Sequence, residues 1–140
     1  MSEIVHIDIN YVVQGVKRAA AERPGVYERR DGGLGCANIE IVDGKPVPSC
    51  IVGHILSAAV GVENVEASGS AHSTLWRLQS AGLITYTPEA EHLLRVIQVF
   101  QDTKTVPWNA IAEVMDDLVS AAMRLVLCAD RSETKGHLHE

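Results

Sequence analysis

The sequence predicts an α+β fold that is mainly α, with about five helices packed on a small antiparallel β-hairpin sheet. Apolar residues recur at helical spacing in five segments, and two short alternating runs flank the turn pair Asp43-Gly44. Hydrophobic residues make up 46% of the 140 residues, which is enough for one core. We therefore assign residues 1–130 to a single globular domain and the polar, non-periodic residues 131–140 to a flexible tail.

Each predicted helix is bounded by a capping residue or proline at its start and by glycine, proline or a loss of periodicity at its end. The five helices cover residues 9–23, 50–60, 70–81, 88–102 and 107–130. Ser49 is the expected cap of the second helix, and Ser70 or Ser73 that of the third. Thr87-Pro88 is the clearest helix start in the chain, because the Thr87 hydroxyl can accept a backbone N–H of the first turn and Pro88 has no N–H that needs an acceptor.

The predicted strands lie between the first and second helices. Residues 26–30 form a short first strand, the glycines after Asp31 form a turn, and residues 37–42 form a second strand with alternating apolar side chains. Asp43-Gly44 predicts a tight turn, after which residues 45–47 pair back until Pro48. Such a small sheet needs helices to cover one face.

Aromatic residues are scarce, at 4% of the chain, so the core is expected to be aliphatic. Trp76, Phe100 and Trp108 are the only Trp and Phe residues. Each of them is predicted to be a packing anchor.

The charge pattern argues against nucleic-acid binding. The net charge is −6, and each half of the chain holds six Lys and Arg against nine Asp and Glu, so neither half is a basic module that could displace counterions from phosphates.

The other compositional signals concern location. No apolar run reaches the roughly 18 to 20 residues that span a bilayer, and the N-terminus lacks the basic start and apolar block of a signal peptide. Three cysteines, an odd number, are untypical of a secreted disulfide framework. We expect a cytoplasmic protein with reduced thiols and no membrane partner.

Cys50 and His54 are spaced i, i+4 on the second helix, and Cys36 lies fourteen residues upstream. A cysteine and a histidine on one helical face, with a second cysteine from a strand, could supply three ligands of a zinc site. His72 or His92 would have to supply the fourth ligand. Alternatively, His54 could act as a base beside a nucleophilic Cys50. The favoured interpretation is that all three residues pack the hairpin onto the helix, with no metal, no cofactor and no catalytic residue.

Residues 72–84 resemble the recognition helix and following strand of winged-helix regulators, where a similar run ends in Gly-Leu-Ile. This segment is the best hint of DNA binding in the chain. Only Arg77 is cationic within the helix, and the preceding loop is longer than the usual turn.

Three segments carry a wider resemblance: residues 48–56 (PSCIVGHIL), residues 82–84 with 87–90, and residues 98–102 followed by Pro107-Trp108. Through them the chain resembles a group of small uncharacterised proteins of actinobacteria and their bacteriophages, including mycobacteriophages, over roughly residues 10 to 115. The resemblance implies a shared fold and no activity. Within it, Cys36, Cys50, Gly53 and Trp108 look like structural signatures. Glycine inside a helix costs about 1 kcal/mol relative to alanine, so Gly53 predicts the close approach of another backbone or a bulky ring.

The leading functional hypothesis is a non-enzymatic accessory protein of a bacteriophage or actinobacterium that binds a host or phage protein in the host cytoplasm. The last helix, with Leu125, Val126 and Leu127 near its end, is the expected surface of a homodimer. The alternatives are a winged-helix DNA-binding regulator and a zinc- or thiol-dependent protein that uses Cys36, Cys50 and His54.

Overall fold

A computed structural model describes residues 3–33, 36–102 and 106–138, with side chains as far as Cys128. The described chain has six helices and four short strands. The helices are α1 (Ile9–Glu22), α2 (Ile51–Val60), α3 (Ala71–Ser80), α4 (Pro88–Asp102), α5 (Trp108–Glu113) and α6 (Met115–Leu138). The strands are β1 (Val5–Ile7), β2 (Ile39–Val42), β3 (Lys45–Pro48) and β4 (Ile84–Tyr86). The predicted fold class, α+β and mainly α, is confirmed.

The predicted hairpin is present as β2 and β3. The strands are antiparallel, with Ile39 opposite Pro48 and Val42 opposite Lys45. Asp43 and Gly44 both have positive φ, at 53° and 77°, which matches the twist of a two-residue hairpin turn. The predicted tight turn is therefore confirmed, and a two-residue turn sets the register of the two strands that it joins.

The predicted strand over residues 26–30 is wrong, because this segment is irregular. The backbone N–H groups of Arg30 and Asp31 donate to the carboxylate of Glu40, at 2.7 and 3.2 Å, instead of to a neighbouring strand. A side chain thus satisfies the groups that a strand ladder would use.

A second pair of strands was not foreseen. β1 pairs in parallel with β4, with Val5 opposite Ile84 and Ile7 opposite Tyr86. Parallel strands need a long connection, and here three helices and the hairpin lie between them in the sequence. A three-residue strand such as β1 is too short to show alternation.

Helix α2 is central to the core, as its apolar face predicted. Ile51, Val52, Ile55 and Leu56 are each at most 1% exposed. Its N-cap is Cys50 rather than Ser49, so that prediction is wrong by one residue. The Ser49 hydroxyl is instead hydrogen-bonded to the hydroxyl of Tyr27 at 2.7 Å.

The long final helix predicted over residues 107–130 is wrong as a single element. The helix breaks at Val114, whose φ and ψ are −104° and 19°, and this break separates α5 from α6. Short α5 packs against α1, while α6 packs along α4 and continues to Leu138, past the predicted end near residue 130. The flexibility of residues 131–140 stays a prediction, because their side chains lie outside the described part of the chain.

The aromatic residues divide between core and surface. Trp108 is 1% exposed, as predicted for a packing anchor. Trp76 and Phe100 are 57% and 38% exposed, so neither is a buried anchor. On α4 the inward position is taken by Gln101, which is 1% exposed and follows Leu94 and Ile97 along the same face.

Candidate functional site

The structure brings two of the three candidate residues together. Cys36 precedes β2 and is half-buried, whereas Cys50 caps α2 and is fully buried. The backbone N–H of Cys50 donates to the carbonyl oxygen of Ala37, the residue after Cys36, at 3.0 Å, and neither cysteine forms a disulfide. We call these two residues the thiol pair.

Two amides from α4 are directed at the outer thiol. Gln98 Nε2 donates to Cys36 Sγ at 3.4 Å, and Gln101 Nε2 lies 3.6 Å from the same sulfur. The neighbouring Cys50 thiol and these two amides lower the pKa of Cys36 to about 7, against the effects of burial and of Asp102. The lowered pKa favours the thiolate form of Cys36.

The inner thiol has the opposite character. Cys50 Sγ lies 3.4 Å from Asn38 Oδ1, to which it donates, and accepts the backbone N–H of Gly53 at 3.4 Å. The neighbouring Cys36 thiol and burial raise the pKa of Cys50 well above the ordinary value. The pair thus has one half-buried, ionisable sulfur and one fully buried sulfur that holds its proton.

Gln101 connects the thiol pair to the rest of the fold. Its Oε1 accepts the backbone N–H of Ile51, the first residue of α2, at 2.8 Å, while its Nε2 faces Cys36. An α4 side chain therefore completes the N-terminus of α2, where backbone donors lack helical partners. Sequence reasoning missed Gln98, Gln101 and Asn38. The only signal for Gln101 was its place four residues after Ile97, on the apolar face of α4.

His54 does not join the cysteines. Its Nδ1 lies 3.6 Å from Glu22 Oε2, and its ring packs edge-on against Trp108 with 5.3 Å between centroids. Burial lowers the pKa of His54, and Nε2 is buried without a hydrogen-bond partner among the described residues. The ring lines a cavity of about 270 Å³ between α1 and α2, beside Arg18 and Ala58.

The candidate zinc ligands therefore lie in two separate places. Among the described residues, no group of three or more His, Cys, Asp or Glu side chains could hold a metal ion. His72, one of the candidates for a fourth ligand, is hydrogen-bonded to Glu91 on α4. His54 also does not lie beside Cys50 as the proposed base would.

The segment that resembles a winged helix has a different setting here. Arg77 forms an ion pair with Glu66, and β4, the strand after α3, pairs in parallel with β1. A wing would instead need an antiparallel partner for this strand. The arrangement lends no support to DNA binding.

A second candidate site is the exposed end of α6. Met115, Leu118 and Ala122 face inward and are at most 4% exposed. Leu125 follows Ala122 by three residues and Leu118 by seven, so it continues the same face, yet it is 47% exposed. Met123, Leu125, Val126 and Leu127 are the residues we call the α6 apolar surface.

Comparison of the chain with protein-family models, with curated proteins and with solved structures found no match. In the described residues, no helix combines the length and apolar character that a bilayer crossing requires.

Proposed function

We propose that the protein is a non-enzymatic accessory protein that acts by binding another protein, and that the α6 apolar surface is its contact surface. The observation that carries the proposal is the continuation of the buried face of α6 beyond the part of the helix that the domain covers. Exposed contiguous apolar residues of this kind mark protein contact sites.

The α6 apolar surface covers a wide arc of the helix. Successive residues are about 100° apart, so Leu125, Val126 and Leu127 span roughly 200° of its circumference. Met123 is 42% exposed, and Leu127 is 54% exposed. A partner that covered this arc would bury the exposed parts of three aliphatic side chains and one thioether. Because the two leucines and the methionine are about half exposed, each of them contributes about half of the roughly 1.5 to 3 kcal/mol of full burial.

A second copy of the chain is the first partner to test. Each copy presents the same surface, so two α6 helices could pair about a twofold axis. The resemblance to phage and actinobacterial proteins makes a host or phage protein in the host cytoplasm the other partner to test. Both are protein contacts at one surface, and one set of variants tests them.

The variants are Leu125→Glu, which charges the centre of the surface, and Ser120→Glu, which adds the same charge at an exposed polar position of the same helix. Light scattering is measured after size-exclusion chromatography, up to millimolar protein. We expect dimers for the wild type and Ser120→Glu and monomers for Leu125→Glu. A wild type that stays monomeric throughout removes the homodimer.

Affinity capture from a mycobacterial lysate with the same three proteins tests the other partner. A bound protein that is retained by the wild type and Ser120→Glu and lost by Leu125→Glu supports the proposal. If the wild type is monomeric and all three proteins capture the same set, the α6 apolar surface is not a contact surface.

A further inference from the structure

We propose that Cys36 and Cys50 form a redox-active dithiol that low-molecular-weight disulfides oxidise to an intramolecular disulfide. This inference is independent of the proposed protein contact, because it uses the junction of the hairpin, α2 and α4 and none of the residues of the α6 apolar surface.

The two thiols differ in burial and in hydrogen bonding, and this difference determines which sulfur reacts first. Cys36 is half-buried, so a small disulfide can reach it, and it accepts N–H bonds from Gln98 and Gln101, which favour the thiolate. Cys50 is fully buried, and its backbone is hydrogen-bonded to Ala37, the residue after Cys36, while Gln101 contacts both Cys36 and Ile51, the residue after Cys50. Cys36 is therefore the attacking sulfur and Cys50 the resolving one.

The chemistry balances as thiol–disulfide exchange. The Cys36 thiolate attacks one sulfur of the small disulfide, forms a mixed disulfide and releases one thiolate. Cys50 then transfers its proton to that thiolate and attacks the Cys36 sulfur, which expels the second small thiolate. The two protein sulfurs lose two electrons in total, and the small disulfide is reduced to one thiol, which carries the proton of Cys50, and one thiolate.

Simple packing does not account for the donors around Cys36. Two cysteines that only fill space need no amides directed at one sulfur, yet Gln98 and Gln101 approach it across 62 and 65 residues of sequence. Gln101 is 1% exposed and held in place by its bond from Ile51. The Gln101 amide is thus held in place by the fold before any oxidant arrives.

The test treats the reduced protein with oxidised glutathione, quenches with an alkylating reagent and maps the thiols by mass spectrometry. We expect a Cys36–Cys50 disulfide, also formed in the Cys128→Ser variant. Cys50→Ser should accumulate a stable glutathione mixed disulfide at Cys36, and Cys36→Ser should leave Cys50 reduced. Serine is a favoured helix cap, so Cys50→Ser keeps the N-terminus of α2, which circular dichroism checks.

The inference is overturned if Cys36 stays reduced while the exposed Cys128 reacts, or if Cys50→Ser accumulates no more mixed disulfide than the wild type. The pH dependence of Cys36 alkylation adds an independent readout, in which Cys50, Asp102 and Tyr27 are the titratable groups around the thiol. We expect a midpoint of about 7, shifted upward in Gln98→Leu. An unshifted midpoint would show that the Gln98 amide does not position the thiolate.

Discussion

Replacing Gly53 by alanine gives the sharpest test of how α2 meets the hairpin. A Cβ built on Gly53 would lie 1.9 Å from the backbone oxygen of Asn38 and 2.7 Å from its carbonyl carbon. These neighbouring atoms belong to the backbone of Asn38, so no side-chain rotation can move them aside. The sequence predicted a close approach at Gly53, and the structure confirms it as the backbone that leads into β2.

The cost follows from the displacement. Real Cβ atoms essentially never come within 3.0 Å of another atom, so the two segments must separate by at least 1.1 Å, the difference between 3.0 and 1.9 Å. The same Asn38 oxygen accepts the backbone N–H of Ser49 at 2.8 Å, and this bond would be strained or lost. Overpacking costs about 1 to 3 kcal/mol, and an unpaired buried N–H about 1 to 3 kcal/mol. Alanine recovers about 1 kcal/mol of helix propensity, which leaves a net loss of about 3 kcal/mol.

Urea denaturation followed by circular dichroism measures this loss. With a slope of about 2 kcal/mol per M, the midpoint of Gly53→Ala should fall by roughly 1.5 M. Ala58→Gly, at an exposed position of the same helix, isolates the propensity contribution and should cost about 1 kcal/mol. Gly15→Ala meets a side chain, Ile55 Cγ1 at 2.7 Å, and should cost less than Gly53→Ala because that neighbour can shift. A Gly53→Ala protein as stable as the wild type would refute the reasoning.

Three further predictions use buried groups. Hydrogen bonds from Arg30 and from backbone N–H groups lower the pKa of Glu40 in spite of the opposing effect of burial. The carboxylate therefore stabilises the fold above its ordinary pKa of 4.5, and this contribution is lost as the pH falls through the lowered value. Glu40→Gln should cost about 2 kcal/mol near neutral pH and flatten the acid dependence of the urea midpoint; an unchanged acid profile would contradict it. Trp108→Ala should cost about 3 to 5 kcal/mol, whereas Trp76→Ala should change stability by about 0.5 kcal/mol or less, and equal thermal shifts would count against the assigned burial. Gln101→Leu leaves the Ile51 N–H without its acceptor, so it should lower the urea midpoint by an amount equivalent to about 1 to 3 kcal/mol; full stability would contradict this role.

The elements that were predicted correctly are those whose signals are local. Asp43-Gly44 specified a hairpin turn, Thr87-Pro88 specified the start of α4, and Gly61 specified the end of α2, because each depends on the backbone preferences of one or two residues. The errors fall where a distant group competes. The pattern of residues 26–30 predicted a strand, but the Glu40 carboxylate accepts the N–H of Arg30 at the end of this segment. The helix breaks at Val114 without a breaker residue, where α5 packs against α1 and α6 packs against α4.

In the candidate site, too, the local sequence pattern was misleading where contacts with distant residues decide the orientation of a side chain. The spacing of Cys50 and His54 suggested one helical face, but Cys50 sits at the cap and turns toward Asn38, whereas His54 turns toward Glu22 and Trp108. A cap residue lies outside the helical repeat, so i, i+4 spacing does not hold its side chain on the face of the helix.

By itself the sequence determined the fold class, the hairpin turn, most helix boundaries and the crowding at Gly53, since these follow from residue size, backbone freedom and periodicity. Only the tertiary structure decided that Cys36 lies beside Cys50, that amides from α4 lie next to this pair, and that the apolar face of α6 continues past the part of the helix that the rest of the domain covers. The residues that lie together around the thiol pair are 14 to 65 positions apart in the chain. Packing, rather than any local pattern, determines which of such distant residues come into contact.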